Sequence, residues 1–150
     1  GNNNGRIDNP DDDPFQEPNA LWEHLAKAGF LGGAYTGEPE EPTTNSNQTP
    51  LNAFNHNVVM GRTSDYLAVD EEPAVRLNLV IGRGVPVDLV RELDVKLDDG
   101  VAVTGVLRLA ISDGIGAVFG PMAESEAACE LDLDYDLAAD AQDCNPVFLY

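Results

Sequence analysis

The sequence predicts an α+β fold, with a small antiparallel sheet, short helices and a cysteine-bounded loop near the C-terminus. Two segments have helical spacing of apolar residues, several short runs alternate between apolar and polar residues, and the chain's two cysteines both lie late. The 150 residues show no internal repeat and no break in composition. Residues 1–150 are therefore predicted to form one domain.

The first helix is predicted over Asn19–Ala28, where leucines and a tryptophan recur on one side at helical spacing. Asn19 is the expected N-cap, and Gly29 is suited to end the helix. Residues 32–50 follow and are rich in Gly, Pro, Thr and Asn, which predicts a long surface loop.

Three short strands are predicted next, at Asn57–Met60, Tyr66–Val69 and Val75–Ile81. The third alternates strictly, so its odd-numbered apolar residues should share one face, with Arg76 and Asn78 on the other. This pattern is typical of a half-buried strand.

A second helix is predicted over Pro86–Leu97, because Leu89, Leu93 and Leu97 recur on one side of it, with Val90 beside them. Its charged residues are interpreted either as a solvated face with weak i, i+4 ion pairs or as contacts to neighbouring subunits of an assembly, and the sequence does not separate the two. These residues are Arg91, Asp94, Lys96 and Asp98.

The remaining chain predicts a strand at Val101–Ile111 and a short returning strand at Ala117–Phe119. After these come the cysteine-bounded loop and a tail, Pro146–Tyr150.

The charge of the chain limits its partners. There are 8 Lys and Arg against 27 Asp and Glu, which gives a net charge of −19. Such a chain does not neutralise nucleic-acid phosphates or bind an anionic membrane surface. Because 43% of its residues are hydrophobic, it is not a disordered acidic tail.

The two cysteines, Cys129 and Cys144, favour a disulfide in an exported protein. Closing a loop of about 15 residues contributes roughly 3 kcal/mol in the chain-entropy model. The alternative is two buried free thiols in a cytosolic protein. Zinc is not expected, because there is no CxxC motif and His24 and His56 lie far away in sequence.

Three features together resemble a known family. They are GNNNGRID (1–8) followed by LWEHLAKAGFLGGAYTG (21–37), then ELDVKLDDG (92–100) with TGVLR (104–108), and finally the late cysteine pair. This combination resembles the globular head of type IV pilin-like proteins, which are pilus subunits or type II secretion pseudopilins. The resemblance is spread over most of the chain.

The resemblance implies a structural subunit of an extracellular filament, displayed at the cell surface after export and not an enzyme. Such subunits assemble with copies of themselves through a hydrophobic N-terminal helix, which is also their only contact with the membrane. The helix is not in this sequence, which contains no run of 18 apolar residues. We expect it to be a removed segment or a separate chain, and we expect the apolar face of Val75–Ile81 to be exposed without it.

Two stretches have the spacing of calcium ligands. With Gly5 at the glycine position of a calcium loop, ligand positions fall on Asn2, Asn4, Arg6 (through its carbonyl), Asp8 and Asp11. The alternative is an Asn/Gly turn followed by a solvated acidic run.

The second stretch places ligand positions on Asp132, Asp134, Asp136, Asp140 and Asp143. Leu137 stands where such a loop needs glycine. The favoured interpretation is therefore an edge strand with Leu131, Leu133, Tyr135 and Leu137 inward and the aspartates outward.

No nucleophile motif accompanies His24, and neither GxSxG nor HExxH occurs, so an enzyme is not predicted. The alternative to a filament subunit is a secreted, calcium-dependent binding or adhesion module.

Overall fold

The computed structural model describes residues 4–8, 13–69, 73–111, 125 and 127–150. The α+β prediction is confirmed. The helices are α1 (Gln16–Lys27) and α2 (Val87–Leu97), and the strands are β1 (Val59–Thr63), β2 (Arg76–Val80), β3 (Leu107–Leu109), β4 (Glu130–Leu131), β5 (Asp134–Tyr135) and β6 (Pro146–Leu149). Four strands form an antiparallel sheet in the order β1-β2-β6-β3, and β4 and β5 form a separate hairpin.

Helix α1 begins three residues before the predicted start, and its N-cap is Phe15. Asn19 is therefore not a cap. It is fully buried, and its Nδ2 donates to the carbonyls of Glu38 and Glu40 at 2.7 and 2.9 Å. The predicted loop 32–50 is a loop, and these bonds fasten it to α1.

The two faces of the sheet are covered by different helices. Val59, Val80 and Val147 lie side by side on the face that we call the α1 face, where they pack with Phe15 at the start of α1. Met60, Leu79, Phe148 and Leu107 lie side by side on the opposite face, which we call the α2 face.

Helix α2 covers only the β3 end of the α2 face. Val87 and Val90 pack there with Leu109 and with both cysteines. The apolar side predicted for this helix is only partly the buried one: Val90 is buried, but Leu89 and Leu97 are 43% and 54% exposed.

The burial of the β2 side chains also differs from the prediction that its apolar side is buried and its polar side is in solvent. Asn78 was predicted to face solvent, but it is fully buried on the α1 face and donates from Nδ2 to the Thr63 carbonyl at 3.0 Å. Leu77 and Leu79 are only half-buried, and Val75 is 64% exposed. The predicted exposure of the apolar side of this segment is therefore found only in part: Val75 is exposed, and the other apolar residues on that side are half-buried.

Several strand predictions need correction. The segment 66–69 makes one isolated bridge, between Tyr66 and Ala110, and no strand. The predicted strand Val101–Ile111 is reduced to β3, because turns occupy most of its first half. The predicted strand Ala117–Phe119 lies outside the described residues.

The tail Pro146–Tyr150 is the largest difference from the prediction. It forms β6, which pairs with both β2 and β3 in the interior of the sheet. Pro146 is the first residue of this strand, a position where a missing N–H is tolerated.

The predicted disulfide between Cys129 and Cys144 is confirmed, with the two Cα atoms 5.7 Å apart. Both cysteines are fully buried. Cys144 also exchanges backbone hydrogen bonds with Val85, so the disulfide joins the segment before β4 to the segment that leads into β6.

We expect the double variant Cys129→Ser/Cys144→Ser to lose about 3 kcal/mol of unfolding free energy, because the bond closes a loop of about 15 residues. Urea denaturation of the oxidised protein and of the variant measures this loss. Adding reductant should destabilise only the unsubstituted protein. A difference below about 1 kcal/mol would contradict the expectation.

Candidate functional site

A row of apolar side chains lies on the α2 face beyond the reach of α2. The row consists of Met60, Leu77, Leu79 and Phe148, and we call it the apolar row. Met60 pairs with Leu79 and Leu79 with Phe148, so their side chains are direct neighbours across three strands. All four are half-buried.

The apolar row continues into more exposed residues. Tyr150 follows Phe148, with ring centroids 6.1 Å apart, and is 65% exposed. Contiguous apolar surface of this kind is typical of an interface.

An acidic cluster lies at the C-terminal end of α2. One carboxylate oxygen from each of Asp94, Asp98 and Asp99 lies within 4.8 Å of the others, so the three residues could hold a metal ion. Each side chain is held in place by a different part of the fold. We call these three residues the Asp cluster.

Asp94 is the buried member, with 0% of the residue exposed. It lies on the same side of α2 as Val87 and Val90, and the Tyr135 hydroxyl donates to its Oδ2 at 2.7 Å. Its Oδ1 is buried and makes no hydrogen bond of normal geometry with any described residue.

Asp98 and Asp99 lie in the loop after α2. Asp98 Oδ2 accepts the N–H groups of Val106 and Leu107, the latter at 3.1 Å. Asp99 accepts the Val101 N–H at 3.0 Å and the Thr104 hydroxyl at 2.6 Å. These bonds fold residues 98–107 back on themselves and orient both carboxylates.

The pKa values of Asp94 and Asp99 in the Asp cluster are shifted in opposite directions. Burial raises the pKa of Asp94; hydrogen bonds from the Tyr135 hydroxyl and from the Gly100 backbone oppose that rise, and the charges of Asp99 and Asp98 reinforce it. The Thr104 and Val101 hydrogen bonds lower the pKa of Asp99. Burial, together with the neighbouring Asp94 carboxylate, raises the pKa of the Tyr135 hydroxyl, so Tyr135 remains a donor.

The Asp cluster was not predicted, because the spacing of Asp94 and Asp98 in the sequence is typical of a solvated helix face. One signal was present. Val87, Val90 and Asp94 follow helical spacing, which places an acid on an apolar seam. The partner of that acid, Tyr135, is 41 positions away and cannot be identified from local spacing.

The first predicted calcium loop is only partly within the described residues, since Asn2 and Asp11 lie outside them. Asn4 Nδ2 donates to Asp8 Oδ2, and Asn4 Oδ1 accepts the Arg6 N–H at 2.8 Å. The described part is thus an Asn turn, and calcium binding there stays a prediction.

The second predicted calcium stretch is spread over several turns. Asp132 lies in the turn between β4 and β5, and Asp134 lies in β5. Asp136 caps the N–H groups of Ala138 and Ala139 at 3.0 and 3.2 Å. The oxygens of Asp140 accept from the Gln142 amide at 3.0 and 3.1 Å.

The alternative that the sequence favoured for this stretch, a single alternating edge strand, is wrong. Tyr135 is buried, but the three leucines expected beside it are exposed, because the chain reverses in a tight hairpin. These leucines are Leu131, Leu133 and Leu137.

Asp143 is bound to another part of the protein. Its carboxylate pairs with the Arg83 guanidinium and accepts the Gly84 N–H at 2.8 Å. Partial burial raises the pKa of Asp143, but these hydrogen bonds and the Arg83 charge outweigh it, so the pKa lies below its ordinary value of 3.8.

The comparisons with known proteins add no family. No protein-family model matches the chain, and no curated protein or solved structure is significantly similar to it. Among the helices within the described ranges, none is both long and apolar enough to cross a membrane.

We expect Gly105→Ala to lower the unfolding free energy by more than about 1 kcal/mol. Gly105 has φ +65°, and an added methyl group would overlap Asp98 Oδ2. Gly32→Ala is the matched control, because no atom lies within 4 Å of the added Cβ. Urea denaturation compares the two, and equal effects would contradict the assigned role of the Asp98 turn.

We expect the stability difference between the protein and Asp143→Asn to depend on pH. The unfolded chain binds this proton more tightly, so the ion pair stabilises the fold above about pH 4 and loses its effect as pH falls through the lowered pKa. Denaturation at several pH values measures the difference. Arg83→Gln should reduce stability similarly, and a difference independent of pH would contradict the pairing.

Proposed function

We propose that this protein is a structural subunit of an extracellular filament of the type IV pilus or type II secretion pseudopilus kind. The apolar row is the observation that carries the proposal. In this proposal, a hydrophobic N-terminal helix outside the given sequence packs on the row and joins the subunits. The helix belongs to the same protein or to a separate chain.

The dimensions of the apolar row suit a helix. Its direct neighbours Met60, Leu79 and Phe148 span three strands, which are two spacings of about 4.8 Å. An α-helix with its side chains is about 10 Å wide. One helix therefore covers the row.

Covering the apolar row is energetically favourable. Full burial of a large apolar side chain contributes about 1.5–3 kcal/mol, and these four side chains are already half-buried. Each would add roughly 1 kcal/mol when a helix covers it. This free energy favours docking of a helix. The docked helix also buries its own apolar side chains, which adds to the gain.

The charge of the chain supports the same arrangement. Copies with a net charge of −19 repel one another, so close packing needs burial of apolar surface or bound cations. In the proposed filament the helices supply the apolar burial. The acidic loops then lie on the outside, in water.

The disulfide supports an extracytoplasmic location. The bond between Cys129 and Cys144 persists in oxidising compartments and is rare in the cytosol of mesophiles. Export and a cell-surface position follow from the same proposal.

A second candidate function is a secreted, calcium-dependent binding or adhesion module. The Asp cluster is the observation that favours it, because three carboxylates within 4.8 Å could hold a cation. A chelator distinguishes the two candidates. A large loss of stability with EDTA, in a protein that is absent from filaments, would favour the module.

We expect Leu79→Asp to remove the protein from surface filaments, because a carboxylate at the centre of the apolar row cannot be buried under a helix. The measurement is the amount of the protein in filaments sheared from cells of the organism that encodes it. Phe30→Asp is the matched control, since Phe30 is 79% exposed and lies outside the sheet.

The unfolding midpoint of each purified variant must also be measured, so that loss of folding is not mistaken for loss of assembly. Met60→Asp, on the neighbouring strand, should give the same result as Leu79→Asp. Absence of the unsubstituted protein from filaments would overturn the proposal. Normal incorporation of both row variants would also overturn it.

A further inference from the structure

We propose that the Asp cluster, formed by Asp94, Asp98 and Asp99, is a binding site for a divalent cation of the size of Ca²⁺. The inference does not rest on the filament proposal. It concerns other residues than the two calcium loops expected from spacing, and it stands on three observations.

The first observation is the spacing of the oxygens. One oxygen from each carboxylate lies within 4.8 Å of the other two. Calcium binds oxygens at about 2.3–2.6 Å, so two ligands on opposite sides of one ion are about 4.6–5.2 Å apart. A Ca²⁺ ion can therefore contact all three carboxylates with little movement of the chain.

The second observation is the unpartnered oxygen of Asp94. This residue is fully buried, and the Tyr135 hydroxyl takes only Oδ2. Within the described residues Oδ1 makes no hydrogen bond of normal geometry, although the Gly100 backbone acts on this carboxylate, and a poorly satisfied buried carboxylate oxygen is costly. A cation bound among the three carboxylates would supply a further partner for Asp94.

The third observation is the position of the charges. Asp94 lies in the last turn of α2, and Asp98 is its C-cap. A helix C-terminus carries partial negative charge and disfavours carboxylates. Lys96, on the same helix, is paired with Glu92, and the charge of Arg108 acts on Asp99. The single charge of Arg108 offsets only part of the negative charge of the three aspartates.

The site is also prepared for binding. Hydrogen bonds from Val101, Thr104 and Leu107 hold Asp98 and Asp99 in place, so little ordering is required when a cation arrives. Asp99 is exposed and Asp98 half-buried, which leaves the cation a path from solvent and room for water ligands. Calcium takes about six to eight oxygens, so water completes the shell.

Calorimetric titration of the purified, chelator-treated chain with CaCl₂ at neutral pH tests the proposal, together with unfolding midpoints in CaCl₂ and in EDTA. We expect saturable binding to one site and a higher midpoint with calcium. Asp98→Asn and Asp99→Asn should each weaken binding by about tenfold or more. Tyr135→Phe, which frees Asp94 Oδ2, should weaken it by about 10- to 100-fold.

Two matched controls make the same Asp→Asn charge change at positions outside the Asp cluster. Asp88→Asn lies in the first turn of α2, and Asp132→Asn lies in the hairpin turn of the second predicted calcium stretch. Both should bind calcium as the unsubstituted chain does. If Asp132→Asn weakens binding and Asp99→Asn does not, the cation binds in the hairpin stretch and the proposal is wrong.

Two further outcomes would overturn the proposal. One is the absence of calcium binding at millimolar concentration in the unsubstituted chain, with a midpoint that EDTA leaves unchanged. A proton on Asp94, shared with a neighbouring carboxylate, would then satisfy Oδ1. The other is equal binding of Mg²⁺, which would contradict a site whose irregular oxygen shell suits the flexible coordination of Ca²⁺ better than the octahedral shell of Mg²⁺. Both outcomes leave the filament experiment unaffected, because that experiment tests the apolar row.

Discussion

The fold depends on placing its last strand, β6, inside the sheet. Among the described strands, β6 lies between β2 and β3 and pairs with both, so without it the sheet order β1-β2-β6-β3 cannot form. The residue before β6, Asn145, is fully buried and fixes the position: its Oδ1 accepts the Gly82 N–H and its carbonyl accepts the Ala110 N–H. The disulfide at Cys144 then ties this junction to the chain before β4. Because β6 pairs with strands that are distant in sequence, the sheet cannot form without residues 146–149.

The central position of β6 also decides which surface is left open. Its side chains alternate, so Val147 packs on the α1 face while Phe148 lies on the α2 face. Helix α1 lies against β1 on the first face, with Phe15 packed beside Val59, and α2 reaches only the β3 end of the second face. The apolar row is what remains. Within the described residues no helix covers this part of the sheet, so the apolar row is left half-buried.

The local spacing of apolar residues predicted the positions of both helices and of β2. It did not predict which side of each element is buried. In α2 the leucines at i, i+4 and i+8 form the more apolar side, yet Val87, Val90 and Asp94 are buried, because Tyr135 and Leu109 lie on that side. The residues of β6 were predicted to be a tail. A short strand that is paired with a neighbour at each edge and covered on both faces has a continuous apolar run, so it lacks the alternation that indicates a strand. Both errors concern partners that are distant in sequence, which periodicity does not report.

The apolar row and the Asp cluster are connected through α2. This helix bounds the row on the β3 side, and Asp94 contributes to its buried surface at the C-terminal end. A carboxylate there opposes close packing of α2 unless its charge is balanced. A bound cation would supply that balance and fix the loop 98–107 that leads into β3. The two proposals have separate tests, but a cation at the Asp cluster would hold α2 in the position that shapes the edge of the row.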